Sequence, residues 1–280
     1  MQIGQIRKDG ATVAAIFEGD SARAIPTHTV VDLIRRSEAE GIPLTELATQ
    51  LASRQSQPAV PILPIHPIEV WACGCTYEVS AEFRDTELGA AEGMYAYVNR
   101  ADRPEIFFKG TARVCVGPNQ AVGLRSDSKF TAPEPELAVI LGSKGRVLGY
   151  TLANDVSAWD IERENALYLP QSKVYNCCCS LGPVIVTADS IADPYSLEMT
   201  CTIMRGKEQR FSGSVSTARL SRKIENLTDY LLRSNSVPAG SVMLTGTGII
   251  VTAEAALEAG DVVEITVPEI GTLSNGTIVV

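Results

Sequence analysis

Pro133-Glu134-Pro135-Glu136-Leu137-Ala138-Val139-Ile140-Leu141 is followed, after Ser143-Lys144-Gly145, by Val147-Leu148-Gly149-Tyr150-Thr151-Leu152-Ala153-Asn154-Asp155. Two short apolar runs joined by a Ser-Lys-Gly turn read as a β-hairpin. Strand residues alternate faces, so Glu134 and Glu136 project to the same side. The hairpin returns Asp155, at the end of the second run, beside them. Three carboxylates converging next to buried strands repel one another unless positive charge lies between them. A hard divalent cation such as Mg²⁺, which prefers oxygen ligands, answers that need. Asp160 is the alternative third acid, but it falls in the helix expected to follow, whereas Asp155 ends a strand.

The remaining composition narrows the class. The chain has 280 residues, 45% hydrophobic and 20% charged, which suits one large globular domain or one domain plus a small one. Its net charge is −9, and no run of Lys and Arg offers a phosphate-binding surface, so nucleic acid is not an expected partner. No apolar stretch approaches a membrane span, and the start, Met1-Gln2-Ile3-Gly4-Gln5-Ile6-Arg7, lacks a signal-peptide core. Seven cysteines, three of them consecutive at Cys177, Cys178 and Cys179, form no paired zinc motif. They read as small buried hydrophobes in a reducing cytoplasm. Cys73 and Cys75, on one face of a strand, hint faintly at thiol chemistry.

Along the chain, residues 1–65 predict a small N-terminal α/β domain. It holds short strands at Gln2–Ile6 and Thr12–Phe17, a helix from Val30 after a cap at Thr29, and a helix over Leu44–Leu51 with apolar residues at i, i+3, i+4 and i+7. Pro58, Pro61, Pro64 and Pro67 mark the linker. Residues 66–280 form the larger part. Short strands are expected at Val70–Cys73, Glu136–Leu141, Val147–Ala153, Pro183–Thr187, Glu198–Met204, Ser241–Thr245 and Val262–Val267. Helices are expected at Glu78–Glu92 and Ser221–Arg233, and a hairpin turn at Met204-Arg205-Gly206-Lys207. Without βαβ alternation, the fold class is α+β on a mainly antiparallel sheet.

With the acids placed, the chain resembles the fumarylacetoacetate hydrolase superfamily. The matching pieces are Phe107-Phe108-Lys109, Glu134-Pro135-Glu136-Leu137, Asn154-Asp155-Val156-Ser157, Leu181-Gly182-Pro183, Leu244-Thr245-Gly246-Thr247-Gly248, Gly260-Asp261-Val262-Val263-Glu264-Ile265 and Ile270-Gly271-Thr272-Leu273-Ser274-Asn275, in the family's order. The resemblance implies a β-roll-like catalytic domain, usually dimeric, that binds Mg²⁺ or Mn²⁺ through Glu134, Glu136 and Asp155. Arg103-Pro104-Glu105-Ile106-Phe107-Phe108-Lys109 and Asp160-Ile161-Glu162-Arg163-Glu164-Asn165-Ala166-Leu167-Tyr168-Leu169-Pro170-Gln171-Ser172-Lys173 are most similar to its 2-keto-3-deoxy sugar-acid dehydratases of arabinonate and xylonate type, and Lys173 matches that branch's active-site lysine. The carbon–carbon hydrolases of the superfamily carry a Tyr followed three residues later by His and then by Glu, which activate water. Here Tyr77 is followed by Ser80 and Phe83, and the chain has only His28 and His66. Trp159 is a departure: relatives have an Arg there, followed by Asp.

The implied activity is a metal-dependent dehydratase of a pentonate-like 2-keto-3-deoxy aldonic acid. The metal stabilises the enolate, Lys173 removes the carbon 3 proton, and the carbon 4 hydroxyl leaves as water, with Glu105 or a metal-bound water as the candidate acid. A hydrolase needs a base to make hydroxide, whereas a dehydratase releases water, so the missing histidine fits elimination. Gly246 and Thr247 are candidates to hold the substrate carboxylate, through backbone amides and a hydroxyl; a plain turn is the alternative. Lys109, Arg84 and Ser80 are further substrate-contact candidates, with structural ion pairs or a filler side chain as the alternatives. The competing enzyme readings are an acylpyruvate- or fumarylpyruvate-type hydrolase and an oxaloacetate-type decarboxylase. The non-enzyme reading is a metal- and keto-acid-binding protein.

Overall fold

Leu137, Val139 and Leu141 face one core from the Pro135–Leu141 strand, while Ala138 and Ile140 face another. A strand covered on both faces is apolar without interruption, which is why this run shows no polar alternation. The computed structural model describes residues 1–78, 80 and 93–280. In it the expected hairpin pairs Pro135–Leu141 antiparallel with Val147–Asp155, Glu136 lying opposite Ala153. The connection is a tight turn over Ser143–Gly145 in which Lys144 takes a left-handed φ of 57°.

This hairpin is the middle of a sheet that has 11 strands among the described residues. To one side of it run Ser241–Leu244, Val70–Gly74 and Glu105–Gly110; to the other lies Cys179–Thr187, then Gln2–Lys8, Ala11–Glu18, Ser21–Ile25 and Gln57–Pro58. Pairing along this path is antiparallel except between Ser241–Leu244 and Val70–Gly74. A second sheet of five strands includes Glu198–Arg205, Val262–Val267 and Gly271–Val279. Met199, Cys201, Ile203, Val263 and Ile265 from it share a core with Leu137, Val139 and Leu152. The α+β, mainly antiparallel class expected from the sequence is the class observed.

The helix Val30–Glu40 covers the opposite face of the large sheet, with Leu33 and Ile34 in the same core as Ala138, Ile140 and Ala153. Thr29 caps it by a reciprocal box with Asp32, and Gly41 ends it at φ 68°. Residues 1–65 add their strands to the sheet of the larger part: Gln2 and Ile3 pair with Val186 and Ile185. Neither sheet nor core is interrupted at residue 65. The helix expected over Glu78–Glu92 lies almost wholly outside the described residues, and the later helix runs Ile224–Leu232. Glu105–Gly110 and Gly271–Val279 are strands that local pattern did not announce, because a lysine sits in the first and glycine, serine and asparagine dilute the second.

The fold places the acids. Glu136 shares strand parity with Ala138 and Ile140, and Asp155 with Ala153, so both emerge on the helix-covered face at the same end of the hairpin.

Candidate metal centre and active site

Glu134, Glu136 and Asp155 each offer a carboxylate oxygen, and these oxygens all lie within 4.8 Å of one another. The three residues are 3%, 1% and 1% exposed. Backbone contacts lock the pair of strand ends: the Asp155 amide donates to Glu134 O at 2.9 Å, and the Glu134 amide to Asn154 Oδ1 at 3.0 Å. Two buried lysines answer the charge. Lys173 Nζ reaches Glu134 Oε2 at 2.7 Å, Asp155 Oδ2 at 3.2 Å and Ser157 Oγ at 2.5 Å. Lys109 Nζ lies 2.5 Å from Asp155 Oδ1 and donates to Val156 O at 3.1 Å. Among the described residues, three carboxylates thus meet two ammonium groups.

Both lysines bond Glu134 or Asp155, and Glu136 meets a backbone amide instead. Burial, then the charges of Asp155 and Glu134, push its carboxyl well above the usual range, against the Lys173 charge and the Gly246 amide that donates to its Oε2 at 2.5 Å. Burial pulls Lys109 down, but Asp155 beside it prevails, and its ammonium form is held more firmly than usual. An all-oxygen set of three buried carboxylates gathered within 4.8 Å fits a hard divalent cation.

The cavity over the triad is lined by Cys73, Gly74, Cys75, Ser80, Glu105, Phe107, Glu162, Leu169, Lys173 and Thr247 besides the acids. A larger apolar cavity of about 410 Å³ adjoins it and shares Cys75, Glu105, Glu162 and Leu169. Among the residues expected at the site, the structure thus gathers the three acids, Lys173, Glu105, Ser80 and Thr247. Ser80 Oγ donates to Thr247 O at 2.8 Å, and Thr247 Oγ1 to Ile249 O at 3.3 Å. Glu105 accepts from Cys75 Sγ at 3.4 Å. Lys109 is fully buried behind Asp155 rather than on the cavity wall, and the Gly246 amide meets Glu136. Asp160 sits apart, accepting from Ser128 Oγ at 2.6 Å and the Lys129 amide at 2.7 Å. Arg84 and Phe83 lie outside the described residues. Neither histidine lines the cavity: His28 contacts Pro26 O and Arg36, and His66 contacts Gln5.

Sequence reasoning missed Glu162, which is buried and accepts from Ser172 Oγ at 3.2 Å. It follows Trp159 by three residues on the helix Trp159–Glu164, so helical spacing held the signal. Ser157, the third partner of Lys173, carried no such mark.

The family model described as "Fumarylacetoacetate (FAA) hydrolase C-terminal" matches residues 83–279. The chain belongs to the fumarylacetoacetate hydrolase family. Among members of this family, it is 51% identical to the 2-dehydro-3-deoxy-D-arabinonate dehydratase of Saccharolobus solfataricus over 213 residues, which is 75% of this chain and 72% of that protein. It is 45% identical, over 76% of this chain and 73% of the relative, to a probable 2-keto-3-deoxyxylonate dehydratase of Haloferax volcanii. A solved 2-keto-3-deoxy-D-arabinonate dehydratase complexed with magnesium and 2,5-dioxopentanoate superposes with a TM-score of 0.83 at 38% identity, covering 100% of this chain and 99% of that one. The fold and the branch of the family expected from the motifs are those found. No helix among the described residues is long and apolar enough to cross a membrane.

Proposed function

We propose that this chain is a Mg²⁺-dependent hydro-lyase that dehydrates a 2-keto-3-deoxy pentonate to 2,5-dioxopentanoate. The observation that carries the reading is the buried Glu134–Glu136–Asp155 cluster with Lys173 bound into it, in a cavity that neither histidine lines. The similar dehydratases, one of them holding magnesium and 2,5-dioxopentanoate, support it. Glu134, Glu136 and Asp155 hold the ion. Magnesium there supplies Lewis acidity to the 2-keto group, which makes the carbon 3 protons labile.

The chain's own groups do the rest. Lys173, its ammonium proton released to solvent when the ion occupies the acids, would accept the carbon 3 proton as a neutral amine, and the electron pair of that C–H bond forms the carbon 3–carbon 4 double bond. The carbon 4 hydroxyl departs with a proton from Glu105, as water. The resulting enone shifts a proton from carbon 5 to carbon 3, and the carbon 5 enol becomes the aldehyde of 2,5-dioxopentanoate. Lys109 and Ser157 stay fixed: one holds Asp155 in place and the other anchors Lys173. Thr247 and Ser80, on the cavity wall, contact the substrate. The seven free cysteines support a reducing cytoplasm, and we propose a homodimer, which sedimentation tests.

The test offers keto-deoxy pentonates and acylpyruvates with Mg²⁺ and follows products by mass spectrometry. Dehydration to 2,5-dioxopentanoate, faster than any acylpyruvate cleavage, is expected. Efficient acylpyruvate cleavage without dehydration would replace this reading by a hydrolase.

A further inference from the structure

Trp159 makes a contact that the chemistry above does not use. Its indole Nε1 donates to Glu134 Oε1 at 2.6 Å. Lys173 holds the other oxygen, Oε2, and links it to Asp155 Oδ2. The two oxygens of Glu134 are therefore distinguished: one faces the indole and the other faces Asp155. The terminal torsion of a glutamate is otherwise broad, and the carboxylate would sample many orientations.

The indole is itself immobilised. Its ring meets Phe130 edge to face at 5.4 Å, and the Trp159 backbone amide donates to Phe130 O at 2.9 Å. The Arg163 guanidinium lies 5.1 Å from the centre of the Trp159 ring and 5.0 Å from that of Phe130. A cation thus braces the ring, and the ring meets Glu134 through a neutral N–H. A cationic donor at that point would cancel part of the negative charge that draws a divalent ion. The indole orients the carboxylate and leaves its charge whole.

We infer that Trp159 is a positioning residue for the divalent ion: it presents Glu134 in one orientation without neutralising it. The inference rests on the metal site proposed above. Calorimetric titration with Mn²⁺ tests it on the parent protein and on Trp159→Phe, which keeps a ring against Phe130 and loses the N–H. The expected loss of Mn²⁺ affinity is about 10- to 100-fold, the usual cost of removing a partner that orients a ligand. A second measurement does not depend on that variant. The chain has two tryptophans, so in Trp71→Phe the emission comes from Trp159 alone. Paramagnetic Mn²⁺ should quench it with the midpoint seen by calorimetry. Unchanged Mn²⁺ affinity in a folded Trp159→Phe protein, or Trp159 emission that ignores Mn²⁺, overturns the inference. A parent protein that binds no Mn²⁺ overturns the metal site and the inference together.

Discussion

Lys173 and Glu136 sit in one cavity and are separable by substitution. Methionine at 173 keeps the stem and removes the ammonium, while all three carboxylates remain. Lys173→Met should therefore still bind Mn²⁺ and lose roughly 10²–10⁴-fold in turnover, the usual cost of removing a general base. Glu136→Gln should do the reverse in binding. It removes a charge that burial and two neighbouring acids already disfavour, so thermal stability holds while calorimetric Mn²⁺ binding is lost. Asp160→Asn is the control, since its carboxylate serves Ser128 and Lys129. Binding of Mn²⁺ by Glu136→Gln at the parental level would remove Glu136 from the ligand set.

Elements, rather than single side chains, explain how Glu136 is held. The Thr245-Gly246-Thr247-Gly248 segment leaves the Ser241–Leu244 strand and turns at Gly246, whose φ is 92°. A Cβ there would lie 2.0 Å from Thr76 Oγ1 and 2.9 Å from Cys73 O, so the backbone passes where no side chain fits. Gly260 has the same φ of 92° and nothing within 4 Å. Alanine at both positions meets the same backbone strain, about 1–3 kcal/mol, but only Gly246→Ala adds the clash and displaces the amide bonded to Glu136. Urea unfolding should rank Gly246→Ala as the more damaging, and equal costs would show that the close packing yields freely. The hairpin, the Thr29 cap and the acid cluster were legible because strand parity, turn residues and capping are local. The Glu105–Gly110 strand was not, nor was the reach of Lys109 to Asp155 across 46 positions in sequence. Such pairings depend on which strands become neighbours, and no local pattern records that. The Trp159 contact was hidden for a related reason: the residue was visible as a departure, but the direction of its indole is set by Phe130.

At the scale of the molecule, the N-terminal strands continue the sheet that carries the acids, through Gln2 and Ile3 against the Cys179–Thr187 strand. That strand also pairs with Val147–Asp155, so the acid-bearing hairpin is an interior part of a continuous sheet. Among the described residues, Lys109 and Lys173 answer its carboxylates from within. Chelated protein should accordingly unfold in one cooperative transition. Added Mg²⁺ should raise stability only by mass action, about 2.7 kcal/mol at one hundred times the dissociation constant. Loss of tertiary structure on chelation, seen in near-ultraviolet circular dichroism, would contradict this. The two internal ammonium groups thereby set an order of events. The polypeptide completes itself first and takes up its ion afterwards. On that order the fold would not depend on which divalent ion the surroundings supply.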